Sequence, residues 1–199
     1  HPIIYNSTII GNAKTAATAD NTSLAGICAK ELTEGEIYNS IFANFKNGMN
    51  IQKSISGTRA YASGGEAWHN WTNISGPASA TAGNGSQSFK VKCNTFVNVT
   101  TPITINASFS NSATGTPQAV GSADYTQFVT TDMNDIVTGN TLPGFDYTYT
   151  VNTATNTWTA KNDVIPNPSL SVAGCPTAPV DGFFEPAPYR GAFSSNPGQ

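Results

Sequence analysis

Bulky apolar residues recur through the first half of the chain in a fixed frame, with small polar residues between them. Three windows carry the frame without a gap: Ile4-Tyr5-Asn6-Ser7-Thr8-Ile9-Ile10-Gly11-Asn12, Ile37-Tyr38-Asn39-Ser40-Ile41-Phe42-Ala43-Asn44-Phe45, and Val91-Lys92-Cys93-Asn94-Thr95-Phe96-Val97-Asn98-Val99. The first and sixth positions are apolar each time: Ile4/Ile9, Ile37/Phe42 and Val91/Phe96. One short strand pair cannot bury its own apolar side, so this self-similarity predicts stacked passes of chain with like residue above like. Ala25-Gly26-Ile27-Cys28 recurs loosely as Asn47-Gly48-Met49-Asn50-Ile51, as a further strand of the same stack would. The pattern predicts an all-β solenoid with Ile4, Ile9, Ile27, Ile37, Phe42, Met49, Ile51, Phe89, Val91, Phe96, Ile103 and Ile105 facing inward.

The frame divides the chain into three parts. Residues 1–107 are expected to hold the stacked coils, interrupted at 52–87 by a loop excursion rich in Gly-Gly, Gly-Pro and Gly-Asn-Gly-Ser punctuation. Residues 108–163 read as an irregular extension. Within it, Tyr147–Val151 alternates as strands do, and Thr157–Ala160 is placed to pair with it as a hairpin. From 164 onward, prolines at 166, 168, 176, 179, 186, 188 and 197 prevent regular structure and predict a docking tail.

Composition narrows the function. Only 11% of the 199 residues are charged, which leaves few charged helix faces. A net charge of −3 with nine Lys plus Arg, and no basic stripe, excludes a phosphate-binding surface for nucleic acid. No apolar run approaches the roughly 18 residues that span a bilayer. The chain opens at His1-Pro2 without Met, so a processed product or a piece of a longer polypeptide is expected. Three cysteines, Cys28, Cys93 and Cys175, allow at most one internal disulfide, and none has zinc or redox spacing. Small buried side chains are the ordinary reading of all three. The Asn-x-Ser/Thr triplets at Asn6, Asn21, Asn70, Asn73, Asn84, Asn98 and Asn106 are read as compositional, since Asn6 and Asn98 lie inside the repeats.

Candidate chemistry is sparse. No Gly-x-Ser-x-Gly elbow, His-Glu-x-x-His pair or phosphate-cradling loop occurs. Glu31, Glu34 and Glu36 cluster on one turn, where a solvated corner is the simplest reading. Asp132, Asn134 and Asp135 form an oxygen-rich patch, a weak calcium candidate without the glycine and distal glutamate of an EF-hand loop. His69 has no evident orienting acid. The stronger candidate is the excursion's aromatic group: Trp68 and Trp71 with His69, Asn70 and Tyr61. Presented to solvent, flat rings would stack on sugar C–H faces or anchor a protein, and His69 and Asn70 would bond hydroxyls. The alternative is that both indoles fold back to cover the stack. Otherwise no cofactor is expected.

The repeats, together with the ending Asp181-Gly182-Phe183-Phe184-Glu185-Pro186-Ala187-Pro188-Tyr189-Arg190-Gly191-Ala192-Phe193, resemble the C-terminal part of right-handed parallel β-helix proteins secreted to the surface of Bacteroidetes. That family often closes with an acidic residue, paired aromatics, a Tyr and Gly-Ala-Phe. A Trp-rich ending usually follows there, and here the sequence stops at Gln199 without one. The resemblance implies a right-handed parallel β-helix and a secreted or outer-membrane-exterior location. The functional expectation is a non-enzymatic module for adhesion, assembly or scaffolding. Its partners would be other surface proteins, subunits of an envelope assembly, or polysaccharide. The rival expectation is a carbohydrate-binding or polysaccharide-degrading protein, a lyase or glycoside hydrolase.

Overall fold

The computed structural model describes residues 1–11, 24–30, 33–53, 67–72, 88–106, 115–138, 145–146, 149–152, 157–160, 163–164, 173–177 and 190–191. Each of three passes of the chain gives one strand to each of three parallel sheets. The first pass supplies β1 (Ile3–Tyr5), β2 (Thr8–Ile10) and β3 (Ala25–Ala29). The second supplies β4 (Gly35–Tyr38), β5 (Ile41–Ala43) and β6 (Asn47–Gln52). The third supplies β7 (Phe89–Lys92), β8 (Thr95–Val97) and β9 (Thr101–Asn106). A short helix α1 (Ala67–Trp71) lies between the second and third passes.

The pairing puts the repeated positions opposite one another. Ile4 pairs with Ile37 and Ile37 with Val91. Ile9 pairs with Phe42 and Phe42 with Phe96. Ile27 pairs with Met49 and Met49 with Ile103. The Phe42 and Phe96 rings stack with centroids 5.2 Å apart, and the column continues to Phe128, 5.1 Å beyond. A fully buried side chain of this size is worth about 1.5–3 kcal/mol. Gly48 lets the column close up: a Cβ there would stand 2.5 Å from the Pro102 carbonyl oxygen and 2.9 Å from Phe96.

The corners are as regular as the strands. Asn6, Asn39, Cys93 and Met133 all have positive φ, between 49° and 58°. Asn accepts this left-handed geometry more readily than most residues. The next residue in each pass then reaches the pass after it. The Ser7 amide donates to Ser40 Oγ at 3.0 Å, the Ser40 amide to Asn94 Oδ1 at 3.0 Å, and the Asn94 amide to Asn134 Oδ1 at 2.9 Å. Corner amides that the turn takes out of the ladder thus stay paired, as buried donors must.

An all-β, right-handed parallel β-helix with a loop excursion at 52–87 and an irregular Pro-rich tail was expected, and the structure corrects it. The described residues form a mostly-sheet fold of three small sheets with helical segments and antiparallel strands. The physical reason is that only three passes carry the full repeat frame, and a fourth keeps just the corner and one strand. After the third pass, β10 (Thr116–Pro117) joins β9 antiparallel. Helix α2 (Ala123–Thr126) and a π-helix (Gln127–Thr131) occupy the stretch before β11 (Asp135–Val137), which pairs parallel with β8. Two antiparallel pairs stand apart from these sheets: β12 (Phe145–Asp146) with β15 (Asp163–Val164), and β13 (Tyr149–Asn152) with β14 (Thr157–Ala160). The second of these is the hairpin the alternation indicates.

The inward list also needs correction. Ile27, Phe42, Met49, Ile51, Phe89, Val91, Phe96, Ile103 and Ile105 are buried, and Ile37 is half-buried against them. Ile4 and Ile9 are 39% and 37% exposed, because their strands are edge strands of the first pass.

Candidate functional site

Helix α1 carries the aromatic candidates, and it turns them inward. Trp68 and Trp71 are 0% and 1% exposed. Of the two readings of the aromatic group, the structure bears out the one in which both indoles fold back, and the flat faces are not presented to solvent. The reason lies more than fifty residues downstream: two carboxylates accept the indole N–H groups. Trp68 Nε1 donates to Asp124 Oδ1 at 2.6 Å, and Trp71 Nε1 donates to Asp132 Oδ2 at 2.8 Å. A buried indole needs such an acceptor. Lys53 completes the first pair, 3.6 Å from Asp124 and 4.1 Å from the Trp68 ring centroid. Trp71 also meets Phe128 edge-on, with centroids 6.4 Å apart.

Asn70 is buried and donates to the Thr33 carbonyl at 3.2 Å. His69 lies in α1. Tyr61 falls outside the described residues, as does Glu31. Glu34 is exposed, and Glu36 pairs with Lys90 at 2.8 Å. That hydrogen bond holds the Glu36 carboxyl below its usual range, while burial and the Glu36 carboxylate push the Tyr38 hydroxyl up.

The three members of the calcium candidate each have partners of their own. Asp132 is engaged by Trp71, by Gln127 Nε2 at 3.0 Å and by Lys92 at 3.8 Å. Burial drives its pKa up to about 6, against the opposing pull of these donors. Asn134 donates instead to the Val91 and Phe128 carbonyls, at 2.8 Å each, and takes the Asn94 amide on its oxygen. Asp135 pairs with Arg190. Among the described residues no group of three or more His, Cys, Asp and Glu is placed to hold a metal ion.

Sequence reasoning missed the residues that fasten the tail. Cys93 and Cys175 form a disulfide across 82 residues, with Cα atoms 5.8 Å apart. Next to it, the Pro176 carbonyl accepts from Tyr5 Oη at 3.0 Å and Asn39 Nδ2 at 3.2 Å. Arg190 is buried and donates to the Asn94 carbonyl and Thr95 Oγ1, at 3.1 Å each, besides pairing with Asp135. Gly191 donates to the Asn39 carbonyl at 2.7 Å, with φ of 90° and no room for a Cβ beside Ile41. One signal was available for part of this. Asn134-Asp135-Ile136-Val137 matches Asn94-Thr95-Phe96-Val97, so a fourth copy of the corner can be read in the sequence.

Comparison of the chain with protein-family models, with curated proteins and with solved structures gives no match.

Proposed function

We propose that this chain is a non-enzymatic, exported module of a cell surface or secreted assembly, with an adhesion, assembly or scaffolding role. The observation that carries the reading is how the chemically capable side chains are engaged. Trp68 with Asp124, Trp71 with Asp132 and Arg190 with Asp135 satisfy one another across distant parts of the chain. Among the described residues, groups fixed in this way hold shape and are not free to work on a substrate. The Cys93–Cys175 bond supports export, because disulfides persist in oxidising compartments. The resemblance of the ending to surface proteins of Bacteroidetes supports the same location and a partner in the envelope.

The test has two arms. Purified chain is incubated with a panel of neutral and acidic polysaccharides, and new reducing ends and unsaturated uronide absorbance are followed. Intact source cells are labelled with a membrane-impermeant amine reagent. No turnover, with labelling on intact cells, is expected. Sustained cleavage of any polysaccharide, or labelling only after lysis, overturns the reading.

A further inference from the structure

The third corner carries a sulfur where the first two carry an amide. Cys93 stands in the place of Asn6 and Asn39, with φ of 58° against 49° for each of them. Cys93 is fully buried, whereas Cys175, its partner in the disulfide, is partly exposed. A thiolate arriving from solvent therefore meets Cys175 Sγ first. That sulfur has a cation beside it, since Arg190 Nη2 lies 3.9 Å from Cys175 Sγ. The guanidinium is fixed there by its other terminal nitrogen. Nη1 donates to the Asn94 carbonyl, to Thr95 Oγ1 and to Asp135.

The bonds around this disulfide fall into two sets. Residues 173–177 meet the corners through the disulfide and through the Pro176 carbonyl, which accepts from Tyr5 and Asn39. The corner bonds from Ser7 to Ser40, Ser40 to Asn94 and Asn94 to Asn134 include no atom of that segment. Arg190 and Gly191 reach Asn94, Thr95, Asp135 and Asn39 through bonds of their own. Breaking the sulfur bond therefore loosens one strap and leaves the corner column and the second anchor in place.

We propose that Cys93–Cys175 is a thiol–disulfide exchange site for a dithiol reductant, opened at Cys175 with Arg190 as the positioning residue. The 173–177 strap is thereby released and refastened over an intact column. One thiolate of the reductant attacks Cys175 Sγ. The S–S bond breaks and its electron pair leaves on Cys93 Sγ, which takes a proton. The reductant's second thiolate then attacks its own sulfur in the mixed disulfide and expels Cys175 as a thiolate beside Arg190. The reductant leaves as a disulfide, and the protein holds the two electrons it lost. A neighbouring cation draws the incoming anion and favours the departing one, which is how cysteines are activated elsewhere. This chemistry stands whether or not the surface role does.

Dithiothreitol is the probe, added to the intact chain without denaturant after the free thiol of Cys28 has been blocked with N-ethylmaleimide. Iodoacetamide quenches the reaction, and peptide masses report Cys93 and Cys175. Hydrogen exchange follows the Ser40 and Asn94 amides, and limited proteolysis follows residues 173–177. The pH dependence of alkylation then titrates the freed Cys175. The bond should open with the Ser40 and Asn94 amides still protected and the strap newly cut. Cys175 should titrate well below the ordinary thiol value of about 8.5. Arg190→Gln should return it to that value and slow its alkylation at pH 7 several-fold, while Arg190→Lys keeps part of the effect. A merely structural Arg190 would change the rate of opening and not the titration of the freed thiol. If Arg190→Gln fails to fold, Asp135→Asn decides: removing the carboxylate that shares the guanidinium should lower the Cys175 titration further. An unmoved titration there overturns the proposal. So does a Cys175 that titrates at or above the ordinary value, or a bond that opens only when the column amides lose protection.

Discussion

Asp132 brings pH into the core at the scale of a single side chain. It is 1% exposed, and burial lifts its pKa from 3.8 to about 6 despite Trp71, Lys92 and Gln127. A carboxyl whose folded pKa lies above its unfolded value binds its proton more tightly in the folded state. Its stabilising contribution is full below about pH 3.8 and is lost as pH rises through about 6. The displacement corresponds to about 3 kcal/mol. Chemical denaturation at pH 4 and pH 7 should show this difference, and Asp132→Asn should shrink it while the Trp71 contact is kept. A variant with the unaltered pH dependence would place the titration elsewhere. Gly48 is a second case of one residue deciding a fit. Gly48→Ala should cost about 1–3 kcal/mol, since the Pro102 carbonyl and the Phe96 ring must both retreat. Thermal unfolding measures it.

Between elements, the corner column is the controlling device. Asn94 serves three neighbours at once: it accepts from Ser40, donates to the Ile37 carbonyl at 3.0 Å and donates to Asn134. Asn94→Ala should cost more than a typical side-chain truncation, because it orphans buried backbone groups at about 1–3 kcal/mol each. Asn94→Asp, which keeps only the acceptor, should recover part of the loss in urea unfolding. This column shows what the sequence could reveal. The register of Ile37 on Val91 and Phe42 on Phe96 was legible, because like positions stack when each pass has the same length between corners. The exposure of Ile4 and Ile9 was not, because identical residues differ in burial when one pass is terminal. That Trp68 and Trp71 fold back was one of the two readings the sequence offered, but their acceptors were not legible. Asp124 and Asp132 decide the orientation, and nothing local to α1 marks them as partners. The fourth corner was concealed because Thr131 stands where Ile4, Ile37 and Val91 stand in the other passes.

For the molecule as a whole, the tail is a clamp over the corners. Cys175, Pro176, Arg190 and Gly191 touch the first three passes and β11 through Tyr5, Asn39, Asn94, Thr95 and Asp135. Replacing Cys93 and Cys175 together by Ser should lower stability by about 2–5 kcal/mol, on the scale found for disulfides of small secreted domains. Limited proteolysis should then cut first within the last quarter of the chain. Uncut tail in the double variant would show that the bonds of Pro176, Arg190 and Gly191 suffice to hold it. The corner bonds also have a direction. Ser7 depends on Ser40, Ser40 on Asn94, and Asn94 on Asn134, so every amide waits for a partner made later. During synthesis no pass is complete until its successor has left the ribosome, and a chain halted before Asn134 leaves the Asn94 amide as a donor without its acceptor at the end of the column. Closure of the column is therefore complete only when the last corner is made.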